Sequence, residues 1–219
     1  MSDFRPFLID VLEPRRHLAA AWSNVIDNPL MPLIPGATWV YKGVVDGEPE
    51  INRIVVLGTT KKVMGVTTTV VLDRVYVNGK LAERTHDFFA QDRFGNVWYF
   101  GENSEDIENG KVVSTEGTWR AGVNGATPGL VMEAHPLIGD AYQQEHAPGV
   151  AEDQAKVSAL NVRVASPFGT FSGCLETSES SPLEPTVSER KFYTPGIGLV
   201  KSQSSGSENE VIKLISFVP

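Results

Sequence analysis

The chain has 219 residues, with 19 basic against 27 acidic side chains and a net charge of −8. Apolar residues at 41% and charged residues at 21% describe an ordinary globular protein and exclude the disordered and fibrous classes; no run approaches the ~18 apolar residues of a transmembrane helix. An acidic chain without a lysine or arginine block is a poor nucleic-acid binder, because phosphate contacts supply most of that affinity, and the lone cysteine, Cys174, excludes an internal disulfide or a cysteine-clustered zinc site.

Residues 1–28 differ in texture from the rest. Leu18, Trp22, Val25 and Ile26 recur at helical spacing, Pro14 suits a first turn, and Pro29 forces an exit, so the pattern predicts one amphipathic helix over 14–27. From Gly36 onward the period becomes two. Asp46-Gly47, Asn78-Gly79 and Asn109-Gly110 are two-residue hairpin turns, Met64-Gly65 is a weaker one, and Arg93-Phe94-Gly95 reads as a three-residue loop.

These turns set a register. If Val77 faces Lys80, then Arg74 falls opposite Glu83 and Asp73 opposite Arg84, two complementary pairs. The next hairpin pairs Phe89 with Tyr99, Ala90 with Trp98, Phe88 with Phe100 and His86 with Glu102, putting aromatics on both faces. A strand pair apolar on both faces lies between two layers or in a barrel wall.

Residues 121–150 are heavily punctuated by Gly and Pro, the texture of a lid or binding loop. Strand character returns at 155–164, 169–176, 187–193, 198–202 and 210–218, with 176–185 and 202–209 reading as polar hairpin tips. The expected fold is all-β: one domain over 29–219 of ten to twelve antiparallel strands in an up-and-down meander, closing into a barrel or strongly curved half-barrel, with one N-terminal helix.

Two resemblances add to this. Leu12-Glu13-Pro14-Arg15-Arg16-His17-Leu18 resembles the short LEPR-type segment near the N-terminus of exported proteins of planctomycete-like bacteria, which implies an extracytoplasmic location; the departures are a histidine before the leucine and Ala-Ala where serine often follows. The body resembles a group of uncharacterised bacterial proteins through Pro35-Gly36-x-Thr38-Trp39-Val40-Tyr41, Ala90-Gln91-Asp92, Gly95-Asn96-Val97-Trp98-Tyr99-Phe100-Gly101-Glu102 and Pro195-Gly196-x-Gly198-Leu199-Val200. These are scaffold residues, so the likeness implies a fold and no activity; more loosely it looks like the small barrels that carry apolar ligands.

Catalytic signatures such as a nucleophile elbow, a phosphate-binding glycine loop or a zinc-protease motif do not occur, and no cofactor is called for. His135 and His146 lie among carboxylates without a metal-ligand spacing, so no metal is expected there. His86 with Glu102 beside Phe88 and Phe100 has the makings of an acid–base pair, with Glu116, placed opposite Asn103, extending a polar strip. Trp39, Tyr41, Phe88, Trp98, Phe100 and Trp119 are the candidate lining of a cavity. The favoured expectation is a binding protein for an apolar or aromatic small molecule; the alternatives are a cofactor-independent lyase, isomerase or hydrolase using His86 and Glu102, and a surface module without a ligand.

Overall fold

The computed structural model describes residues 22–206 and 210–219. Four hairpins follow from the turn chemistry. β1 (Thr38–Val45) joins β2 (Glu48–Val63) at Asp46-Gly47, β2 joins β3 (Val66–Val77) at Met64-Gly65, β3 joins β4 (Lys80–Gln91) at Asn78-Gly79, and β5 (Val97–Glu108) joins β6 (Lys111–Ser114) at Asn109-Gly110. Both residues of each turn have positive φ, from 47° at Asp46 to 86° at Gly47, as a twist-matched two-residue hairpin requires. Between β4 and β5, Asp92 organises the loop: its Oδ1 accepts the amides of Phe94 (2.8 Å) and Asn96 (3.0 Å), and its Oδ2 accepts Asn96 Nδ2 (2.9 Å) and Trp98 Nε1 (3.0 Å). Burial alone would raise the Asp92 carboxyl, but those four donors reverse it and hold the group below its usual range.

The remaining strands are β7 (Trp119–Arg120), β8 (Gly129–Met132), β9 (Ala141–Gln143), β10 (Gln154–Ser166), β11 (Gly169–Ser181), β12 (Glu184–Thr194), β13 (Gly198–Ser205) and β14 (Glu210–Val218). All pairings are antiparallel, in the spatial order β6-β5-β4-β3-β2-β1-β14-β13-β12-β11-β10-β9, with β7 and β8 added along β5. The meander is therefore as expected, and four details are not.

The ladder does not close into a barrel. Its terminal strands β6 and β9 do not pair; near the seam the described residues hold one bridge, Thr127 to His146, whose amide-to-carbonyl bond is 2.9 Å. The cause is local, since the punctuated segment 121–150 supplies only the short strands β8 and β9. The expected helix is also absent among the described residues. Over 22–27 the chain is extended: Ser23 bridges Gln91 and Ile26 bridges Leu33, while Trp22 packs edge-on against Phe100 and Trp98. Backbone bonds of Ser23 and Ile26 to distant residues and the ring contacts of Trp22 hold this extended course in place of a helix; residues 1–21, and with them the Leu12–Leu18 resemblance, lie outside the described residues. The polar tips are shorter than expected, because β11 and β12 continue to a tight turn at Pro182-Leu183 and β13 runs to Ser205.

The fourth difference bears on the site. A bulge at Ala82 shifts the β3–β4 register, so Arg74 faces Arg84 and Asp73 faces Thr85, not Glu83 and Arg84 as expected. A second bulge, two residues of β5 (Phe100 and Gly101) against Phe88, keeps Phe89 with Tyr99 and Ala90 with Trp98 but moves Glu102 opposite Asp87 and His86 opposite Asn103. Gly101 sits at φ 116°, and a Cβ there would lie 2.4 Å from the Trp119 carbonyl oxygen, so only glycine fits this bulge.

Candidate functional site

The inward side chains of β1–β5 and of β12–β14 line a single cavity of about 410 Å³, so the open sheet bends around it. Trp39 and Tyr41 come from β1, Asn52 and Ile54 from β2, Asp73 from β3, Phe89 from β4 and Tyr99 from β5. Tyr41 donates its hydroxyl to the Leu199 carbonyl at 3.0 Å, and Trp39 Nε1 donates to the Ile197 carbonyl at 2.8 Å, which fixes both rings across from β12–β13. Phe89 stacks on Tyr99 with ring centroids 4.7 Å apart. Segment 121–150 contributes Val131, Gln144 and Glu145 to the wall.

The polar part of the wall is acidic. Asp73, Glu83, Asp87, Glu102, Glu145, Asp153 and Glu189 all face the cavity, against one cation, Lys191. Lys191 Nζ lies 2.9 Å from Glu179 and 3.0 Å from Glu189; burial opposes its charge, but those two carboxylates outweigh it and hold the ammonium well above its usual range. Its charge is thus committed. Among the described ion pairs none reaches Asp73, Glu83, Asp87, Glu102, Glu145 or Asp153.

Burial raises the proton affinity of Asp73, Glu83, Asp87, Glu102 and Glu145. Tyr99 Oη lies 2.8 Å from Asp87 Oδ1 and 2.9 Å from Glu102 Oε2. A hydroxyl has one proton to give, so satisfying both contacts needs a proton on one of the carboxyls. Burial, then the charge of Asp73, pushes Asp87 up to about 7; burial, then the charge of Asp87, pushes Glu102 up to about 8. Asp73 is pushed to about 7 by burial and then by Glu83, against the lowering effect of the Asn52 amide, whose Nδ2 donates to Asp73 Oδ1 at 2.8 Å. Glu145 rises to about 8 through burial, then Asp153 and Glu102. Asn52, only 8% exposed, has an Oδ1 with no hydrogen-bond partner.

Of the residues singled out from sequence, Trp39, Tyr41 and Glu102 line this cavity. Trp119 is buried edge-on against Tyr99, opposite Glu102 on β7. Phe88, Trp98 and Phe100 are not in the lining: alternation turns Phe88 and Phe100 away, and Phe100 and Trp98 pack against Trp22, while Arg120 covers the Phe88 ring at 5.3 Å. His86 is also on the far face, beside Arg84 and Glu105; its imidazole is held below its usual range by burial and then by the Arg84 charge. The expected His86–Glu102 pair does not form, because the Gly101 bulge moves Glu102 one position along. Glu116 is exposed in the turn after β6, and the Asn103 amide oxygen instead accepts Arg120 at 2.6 Å. Asp73, Asp87, Glu145 and Asn52 were missed, although Asp87 and Asp73 each alternate in phase with apolar neighbours, Phe89 and Val71, that face inward.

No family model matches the chain, and no curated protein does. Among solved structures the fold is similar to an inferred exported protein of Bacteroides fragilis with a YmcC-like fold, at 15% identity and a TM-score of 0.52, covering 87% of this chain and 99% of that one. An inferred lipoprotein of Parabacteroides distasonis aligns over the same shares at 11% identity and a TM-score of 0.47. The first likeness shows the fold, an uncharacterised bacterial β architecture, and nothing of the chemistry.

Proposed function

We propose that the protein binds a small molecule with an apolar or aromatic body in this cavity. The observation that carries the reading is a space of about 410 Å³ walled by Trp39, Tyr41, Phe89, Tyr99 and Tyr193, within the size of small-molecule sites and with these five rings all set on strands. Segment 121–150, which supplies Val131, Gln144 and Glu145, acts as the gate in this reading. The test is titration with the neutral fluorophore N-phenyl-1-naphthylamine: saturable one-site binding is expected, and Ile54→Trp, which fills the space, abolishes it. Binding unaffected by Ile54→Trp overturns the assignment to this cavity.

One observation favours a second reading, an acid–base enzyme. Asp87 and Glu102 each lie within 3 Å of the Tyr99 hydroxyl oxygen, and a carboxyl kept protonated near neutral pH beside a carboxylate is a workable acid and base. Glu102 keeps its expected role here, and Asp87 takes the place of His86. An extracytoplasmic location is supported by the Leu12–Leu18 resemblance and by the inferred export of the Bacteroides fragilis protein; cell fractionation of the tagged protein tests it.

A further inference from the structure

We propose that the cavity's ligand is an organic cation, a protonated amine carried on an apolar or aromatic body, with its nitrogen turned toward the acidic wall that holds Asp73, Asp87, Glu102 and the free amide oxygen of Asn52. This rests on the binding reading above and names the ligand class for the same site.

Three independent observations lead there. The first is charge: four cavity carboxyls, Asp73, Glu83, Asp87 and Glu102, make no ion pair among the described residues, and Lys191, the one cation in the wall, is already bound to Glu179 and Glu189. Carboxylates facing a low-dielectric space are costly unless neutralised, and a bound cation supplies the missing partner. The second is Asn52. Its side chain lines the cavity, is more than nine-tenths buried, and spends its amide on Asp73 while its carbonyl oxygen accepts nothing. Flipping the amide would set that oxygen against the Asp73 carboxylate, so the orphan is an acceptor awaiting an N–H donor. The third is the wall itself, because the aromatic side chains Trp39, Tyr41, Phe89 and Tyr193 that share it with the carboxyls suit the apolar or aromatic body of such an amine.

A metal ion does not suit the same donors. Among the described residues no three His, Cys, Asp or Glu side chains gather closely enough to hold one. The carboxyls are spread along a wall that also carries rings, which fits an extended molecule with N–H donors.

The experiment uses the whole chain at pH 8.5 and calorimetric titration with three scaffolds, indole, phenyl and octyl, each as a cation, a neutral alcohol and a carboxylate: tryptamine, tryptophol and indole-3-propionate, and the corresponding phenyl and octyl compounds. The proposal expects the amine of at least one scaffold to bind at least about tenfold more tightly than its alcohol, and the carboxylate to bind most weakly. The double variant Asp87→Asn with Glu102→Gln cuts the amine's advantage below about threefold while leaving the alcohol's affinity in place; Asn52→Leu reduces amine binding alone. Alcohols that bind as tightly as amines overturn the cation assignment and leave the cavity reading standing. Failure of all nine compounds and of the neutral fluorophore to bind overturns both.

Discussion

The same strands carry different charge on their two faces. Toward the cavity, β3–β5 carry Asp73, Glu83, Asp87 and Glu102; away from it, β2–β4 carry Arg53, Arg74, Arg84 and His86, with Arg53 opposite Arg74 and Arg74 opposite Arg84, and β5 answers with Glu105, which pairs with Arg84. The outer face continues as Lys42 opposite Lys213 and Lys213 opposite Lys201 on β1, β14 and β13. Acid and base alternate along the chain, in Asp73-Arg74, Glu83-Arg84, His86-Asp87 and Glu189-Arg190, so period-two geometry alone sorts each dipeptide onto two faces. What decides whether neighbouring strands sort alike is register. Without the bulge at Ala82, Arg74 would meet Glu83; without the bulge at Gly101, His86 would meet Glu102. Each bulge shifts one strand by one residue, and the result is Glu102 beside Asp87 within and Arg84 beside Arg74 without.

The strongest way to break this sorting is at Gly101. A Cβ there meets the Trp119 carbonyl oxygen at 2.4 Å and the Arg120 Cα at 2.8 Å, at a φ that side chains avoid. Gly101→Ala should therefore destabilise the protein by roughly 2–4 kcal/mol in chemical denaturation; a loss under about 0.5 kcal/mol would mean the bulge is not held as described.

The inner face predicts an unusual pH response. Asp73, Asp87, Glu102, Glu145 and Glu210 titrate near 7 to 8 in the fold, all pushed up chiefly by burial, and near 4 in the unfolded chain. The folded state thus binds protons more tightly. The stability these groups contribute is complete below about pH 4 and lost as pH rises through 7 to 8. Unliganded protein should lose about 1–2 kcal/mol or more between pH 5.5 and 9, after allowance for water in the cavity, and a melting temperature that rises over that interval would contradict the acidic wall. Glu189 and Asp92, held below their usual range despite burial, set the opposite trend only at lower pH.

Glu102→Gln sharpens the same point. It removes the group that must take up a proton, so it should stabilise the unliganded protein by about 1 kcal/mol at pH 9, have little effect at pH 5.5, and flatten the profile between. Equal destabilisation at both pH values would show that Glu102 acts as a packing residue. The smallest effect belongs to the outer face: Lys213→Glu places a carboxylate between Lys42 and Lys201 and should stabilise by about 0.2–1 kcal/mol at low salt, fading as salt is raised.

How far the sequence carried is explained by the same geometry. The turns were legible because Asp-Gly and Asn-Gly answer a local demand for positive φ, and the strand order of a meander follows from its turns. Val77 with Lys80 and Phe89 with Tyr99 paired as expected because each lies next to a turn. The partners of Arg74 and Glu102 did not, because a bulge intervenes whose cause, for Gly101, is a close approach by Trp119 from a distant segment. Trp22, Val25 and Ile26 have a helical spacing, yet the backbone of this segment bonds through Ser23 to Gln91 and through Ile26 to Leu33, contacts no local pattern announces. The site followed suit: Trp39 and Tyr41 lie where alternation puts them, whereas the acids beside them look like solvent-facing charge until the sheet curves.

The most direct measurement is a carboxyl carbon NMR titration of the unliganded protein, assigned through Asp73→Asn, Asp87→Asn and Glu102→Gln. The account predicts that at least two of these three groups titrate with midpoints between about 6.5 and 8.5. Midpoints near 4 for all three would mean the carboxyls face open water and that the two bulges do not build an acidic cavity.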